Sequence, residues 1–165
     1  MSFDKFLAHV RNKSLSRQNR FEIIIPYGDS QLVSLMCHSV TLPSQFMVSD
    51  TNIMFGISRD HAWSKNTNQI IMRFYMDTDL KVKKTFDNWA KQIQNPENGI
   101  MDYYKNYVRD ITIKVLDIND KIRNEIQVYE AYPKSIEGDM FDHKANNVIP
   151  TLTVSFNCRY YKNKR

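Results

Sequence analysis

Glycine and cysteine are scarce in this chain, with four glycines and two cysteines in 165 residues. The glycines are dispersed, which argues against a glycine-rich loop cradling a phosphate. Two thiols, Cys37 and Cys158, make no disulfide framework. Both stand in apolar, strand-like stretches and are expected as buried, reduced core residues. No run approaches the roughly 18 apolar residues of a membrane span. The opening MSFDKFLAHVRNKSLSRQNR lacks the continuous apolar core and small-residue cleavage site of a secretory signal, so a cytoplasmic product is expected. His9, His38, His61 and His143 are scattered, without the spacing of a metal pair. No serine stands in a nucleophile-elbow context. The chain is therefore read as a non-enzyme, with no catalytic residue, no metal and no cofactor.

What is there is an uneven charge distribution. The formal net charge is +5, but residues 1–20 carry +4, residues 159–165 carry +4, and the body between them carries −3. A mildly acidic body with basic ends suits solvated tails or arms that meet an acidic partner. The cluster Arg159, Tyr160, Tyr161, Lys162 could grip a nucleic-acid backbone. A strand end running into a frayed basic tail, residues 162–165, is the favoured reading.

At 42% apolar residues the chain suits one domain with a real core. Residues 1–19 read as a basic N-terminal arm and 20–161 as a single domain. Phe21–Ile25 and Leu32–Leu42 read as strands of a hairpin, ended by Pro43. Gln69–Asp77 alternates, with Ile70, Met72, Phe74 and Met76 on one side. A helix over about 80–93, the only convincing one, follows. Val82, Phe86, Trp89 and Ile93 recur along one stripe, while Lys84, Asp87, Asn88 and Lys91 point away from it. Asp79 is its expected N-cap, with Asp77 the alternative, which accounts for the pair of carboxylates better than a metal site does. Ile111, Ile113 and Val115 define a strand. Ile126 and Val128 define another, joined to it by the INDK turn and closed by Pro133. The run TLTVSFNCRYY predicts one long strand with Leu152, Val154, Phe156, Cys158 and Tyr160 on its dry face. The sum is at least six strands and one helix, a mainly β antiparallel barrel or sandwich with a flanking helix.

Residues 44–66 fit none of this. They hold a possible strand around Met47–Phe55, yet scatter Phe46, Met47, Ile53, Met54, Phe55 and Trp63 among polar residues. Such a segment is too long for an ordinary connection and too apolar for disorder.

The order of these features resembles the tail tube proteins of contractile-tailed bacteriophages. The resemblance rests on RQNRFEIIIP, VTLPSQ, the strand and helix YMDTDLKVKKTFDNWAKQIQNP with its Phe-x-x-Trp core, the hairpin ending in QVYEAYPKSI, and the terminal NVIPTLTVSFNCRYY. It covers most of residues 17–161. It implies a hexameric ring stacked into a tube inside a contractile sheath. Baseplate tube-initiator and tail-terminator proteins are implied as further partners, and DNA passes through the lumen without specific binding. The place of action would be the virion tail, assembled in the host cytoplasm. A tube-initiator or terminator of the same fold is the alternative, and a nucleic-acid-binding module a more distant one. The segment 44–66 is then expected as an arm packing on a neighbouring ring, the alternative being a long hairpin folded back on its own core. The helix stripe becomes a brace, and its outer face a candidate contact for the sheath.

Overall fold

The computed structural model describes residue 7 and residues 17–54, 56–144 and 146–164, with the side chains at 52–54, 57 and 59 outside that set. In chain order the elements are β1 (Phe21–Ile24), α1 (Ser30–Met36), β2 (Cys37–Val40), β3 (Gln45–Met54), β4 (Ile57–Thr67), β5 (Ile70–Tyr75), α2 (Lys81–Ile93), α3 (Tyr104–Tyr107), β6 (Arg109–Leu116), β7 (Ile122–Gly138), β8 (Thr151–Asn157) and β9 (Tyr160–Lys164). The class is mainly β, as the alternation predicts. The main sheet runs β1-β6-β7-β8-β5-β2 with β9 also on β7, and β3-β4 is a separate two-stranded sheet.

β7 organises the main sheet. Its first part, Glu125 to Tyr129, pairs with β9, and Asn124 to Val128 also pair with β6. Its second part, Tyr132 to Gly138, pairs with β8. Between them Glu130 takes a left-handed φ of 52°, and the ladder to β6 slips between Arg109 and Ile111. An irregularity of this kind bends a strand and sharpens its twist. One bent strand thus serves two layers, β1-β6-β7-β9 and β2-β5-β8-β7, which enclose the core. Ile23, Ile111, Ile113, Ile126 and Val128 enter it from the first layer, and Met72, Phe74, Leu152, Val154 and Phe156 from the second. The free ends of the curled sheet, β1 and β2, come near enough for Phe21, His38 and Val40 to line one cavity of about 630 Å³.

Helix α2 closes the core. Val82, Phe86 and Trp89 are fully buried, and Ile93 is half-buried at the rim. Phe86 packs on Phe74 and Phe156, at ring centroid distances of 5.0 and 6.0 Å. Trp89 stacks on Tyr27 at 4.7 Å and donates its indole N–H to the Tyr107 carbonyl at 2.7 Å. The turn before α1 presses on the same helix. At Gly28, with φ +59°, a Cβ would stand 2.7 Å from the Thr85 methyl.

Several sequence expectations are corrected. Residues 21–25 and 32–42 form no hairpin with each other: β1 pairs with β6 and β2 with β5. Between them lies α1, whose cap Asp29 accepts the Leu32 N–H at 3.2 Å and whose Leu, Met and Gln residues favour helix. The helix over about 80–93 is therefore not alone. Pro133 does not end its strand, since β7 runs on to Gly138 past a register shift at Pro133/Ser135, the kind of irregularity that tolerates a proline. The last strand is broken. β8 ends at Asn157, and β9 begins at Tyr160 in the other layer, leaving Cys158 half-buried and Tyr160 exposed. The expected tail at 162–164 is the end of β9, paired with Glu125 to Gln127. Asp79 does not cap α2. Leu80 turns left-handed at φ 53°, which brings the alternative, Asp77, to accept the Val82 N–H at 3.4 Å. Asp79 instead meets Lys81 at 3.2 Å.

Candidate assembly surfaces

Among the described residues no group of three or more His, Cys, Asp or Glu is placed to hold a metal ion. No helix among them is long and apolar enough to cross a membrane. Cys37 and Cys158 are free and half-buried rather than buried. Burial pushes the Cys37 thiol up to about 12 and raises that of Cys158, so neither is a thiolate nucleophile near neutrality. The features that ask for a partner are surfaces.

The first is the β3-β4 ribbon. Its strands pair from Gln45↔Thr67 to Met54↔Ile57, with one slip at Val48/Ser49. It packs chiefly against itself. A lone two-stranded ribbon is marginal in water. This one nevertheless carries Phe46, Met47 and Trp63 at 46%, 59% and 76% exposure. Those three side chains are not folded back on the core. Phe55 and the side chains of Ile53 and Met54, named with them from the sequence, lie outside the described residues. Thr51 bonds Asp60 across the ribbon at 2.6 Å, and Asn68 bonds Ser44 at its root at 2.8 Å. These bonds hold the projection together without tying it to the barrel.

The second surface is the outer face of α2. Lys84, Asn88 and Lys91 are exposed. Asp87 is half-buried and engaged with Lys83, one turn earlier, at 2.6 Å. A partly exposed pair of this kind adds little stability. The face therefore presents an amide and two lysines that have no ion-pair partner among the described residues.

The third place is the corner where β7 and the final strand both change layers. Glu130 gives its N–H to Asp110 at 3.0 Å, and its carboxylate accepts from Arg159 at 2.9 Å. The Arg159 N–H reaches the Tyr129 carbonyl at 3.2 Å. The Arg159 guanidinium first, and the Tyr104 hydroxyl after it, hold the Glu130 carboxyl below its ordinary range. Burial, then the same carboxylate, pushes the Tyr104 phenol up to about 12. Tyr129 and Tyr160 stack at 4.7 Å, with the Lys162 ammonium over both rings at 5.8 and 5.7 Å. Arg159, Tyr160 and Lys162 of the basic-aromatic cluster are thus each engaged within this corner.

Sequence reasoning missed two further apolar patches. Ile100, Met101 and Tyr103 stand exposed after α2, and Met140, Phe141, Val148 and Ile149 stand exposed in the β7-β8 connection. Their signal was present as apolar residues in stretches without period.

A profile of the phage tail tube protein family matches residues 3–164. No curated protein gives a significant sequence match. Among solved structures, a chain of the anti-feeding prophage baseplate superposes with a TM-score of 0.69 at 10% identity, over 92% of this chain and 97% of that one. A chain of the PVC extracellular contractile injection system, from its sheath-tube complex in the extended state, gives 0.65 at 15% identity, over 99% and 98%. A chain from the sheath/tube terminator of that system gives 0.68 at 15%, over 93% and 99%. At such identities the likeness establishes the fold.

Proposed function

The chain belongs to the phage tail tube protein family, whose members are structural rather than catalytic, and from that premise we propose that it builds the tube of a contractile tail. In this reading copies close into hexameric rings. The rings stack inside a sheath, and the finished tube is the conduit through which DNA leaves the virion. The observation that carries it is the β3-β4 ribbon, which exposes Phe46, Met47 and Trp63 on a separate two-stranded sheet that packs chiefly against itself. Exposed apolar groups of this size on a projecting element mark an interaction site. Copies of the same chain are the economical partner for a sheet with free ends, because a closed ring hides its edges. The body, residues 21–158, carries −3. An acidic or neutral lumen repels phosphate and lets DNA slide, whereas a basic one would grip it.

Purified protein viewed by negative-stain microscopy is expected to show rings or tubes of indefinite length. Single rings that never stack would move the assignment to a tube-initiator or terminator. That second reading draws on the likeness to the terminator and baseplate chains. Monomers alone at high concentration would overturn both.

The outer face of α2 is assigned to the sheath. Reversing both lysines, Lys84→Glu with Lys91→Glu, is expected to weaken co-sedimentation with sheath protein while tubes still form. Loss of tubes in this variant would place the face against a neighbouring tube subunit instead.

A further inference from the structure

We propose that the ribbon of one copy is received by the β7-β8 connection of the next copy, at the apolar patch around Met140, Phe141 and Val148. The inference rests on the tube reading above and names the surface that its arm would meet.

The first observation is position. The ribbon leaves the main sheet beside the start of β5, since Thr67 and Ile70 are separated only by Asn68 and Gln69. The β7-β8 connection meets the other end of the same strand, where Tyr75 pairs with Thr151 and the Met76 N–H donates to the Pro150 carbonyl at 3.0 Å. The six residues of β5 put the two features about 20 Å apart along the strand axis. Each copy thus carries the root of the ribbon at one end and the patch at the other. A contact between two different surfaces of the same chain is heterologous and propagates from copy to copy.

The second observation is the character of the patch. Met140 and Phe141 are 86% and 71% exposed, and with Val148 and Pro150 they border a cavity of about 300 Å³. The connection is anchored at its base. The Asp139 carboxylate accepts the Thr151 N–H at 2.7 Å and the Thr151 hydroxyl at 2.6 Å. Those two bonds hold the Asp139 carboxyl below its ordinary range. The patch therefore sits on a fixed rim.

The third observation is charge. On the ribbon Lys65 lies opposite Met47 and has no ion-pair partner among the described residues. The cavity is bordered by Asp139 and Asp142. A ribbon that exposes Phe46, Met47 and Trp63 beside a cation without an ion-pair partner among the described residues thus matches an apolar cavity bordered by carboxylates. The other exposed apolar patch, at Ile100, Met101 and Tyr103, fits less well. It precedes α3, where the Tyr107 ring packs on Tyr132, and Tyr132 pairs with Asn157 at the ribbon's own end of the sheet. A neighbour added along the strand axis presents the far end instead.

The test is proximity cross-linking. On a background of Cys37→Ser and Cys158→Ser, Trp63→Cys is combined with Phe141→Cys and the assembled protein is treated with a short bismaleimide. A denaturing gel is expected to show a ladder at multiples of the 19.6 kDa chain, with neither single-cysteine chain extending beyond a dimer. Tubes without a ladder, a ladder from Trp63→Cys with Tyr103→Cys in its place, or a link confined to one chain would each overturn the assignment and leave the tube reading standing. Absence of any assembly by the unaltered chain would remove the tube reading and this inference with it. Should the cysteine chains fail to assemble, Met140→Ser with Phe141→Ser gives an independent readout. Loss of tubes with a folded monomer is expected, and tubes of normal length would overturn the proposal.

Discussion

Trp89→Ala is expected to lower the free energy of unfolding by about 3–5 kcal/mol, the range for removing a large aromatic from a packed core. The indole has no exposed surface and lies among Tyr27, Phe86 and Phe156. Its removal costs the apolar burial and leaves a cavity that the rings of Tyr27, Phe86 and Phe156 would have to collapse to fill. It also strands the Tyr107 carbonyl, which takes the indole N–H at 2.7 Å. Trp89→Phe separates the two effects. It keeps an aromatic in the site but not the donor, so the carbonyl contributes about 1–3 kcal/mol of the loss if water does not reach it. Urea denaturation at a concentration where the chain is monomeric measures both. A domain of this size holds only about 5–15 kcal/mol in total, so the alanine variant is expected near the edge of foldability. A loss below about 1 kcal/mol, the centre of the distribution for ordinary substitutions, would mean that α2 does not brace the barrel.

The opposite pattern is expected on the ribbon. The triple change Phe46→Ser, Met47→Ser and Trp63→Ser should abolish tube formation. The same change should move the monomer's stability by no more than about 0.5 kcal/mol, as for surface positions in general. Much of each side chain is exposed in the single copy, so little is lost there on truncation. In an assembly they would be the apolar centre of a contact, where a few aromatic residues carry most of the energy. Microscopy of the variant beside its urea curve gives both readouts. A loss of more than about 2 kcal/mol in the monomer, beyond what surface positions show, would put the ribbon in the core and remove the arm from the tube reading.

Where side chains repeat with a single period, the sequence was a faithful guide. β5 was legible because Ile70, Met72, Phe74 and Met76 alternate without interruption. The α2 stripe was legible because Val82, Phe86 and Trp89 keep one face of a 3.6-residue period. Errors fell where one local signal had two structural readings. The run SQLVSLM buries only Val33, so its periodicity was too weak to declare a helix. Pro133 reads as a strand end until the slip beside it is known. TLTVSFNCRYY alternates through Cys158, but the chain crosses to the other layer there, and alternation records faces without recording which sheet they belong to. The ribbon was flagged by length and stickiness, with a possible strand around Met47–Phe55 and a long hairpin as the alternative. Its register could not be read, because Gln45–Thr67 is held by cross-strand ladder bonds rather than by an apolar pattern. The patch at Met140, Phe141, Val148 and Ile149 went unread because its apolar residues follow no period.

The bend at Glu130 has a mechanical consequence. Because β7 is one unbroken strand serving both layers, a pull applied at the ribbon's root enters β5. From there it passes through ladder bonds to β8 and then β7, along the covalent backbone of β7 past Glu130, and through ladder bonds again to β6 and β1. At no step does the load cross a seam held only by side-chain packing. Strain imposed at one face of the barrel is therefore shared by the whole wall.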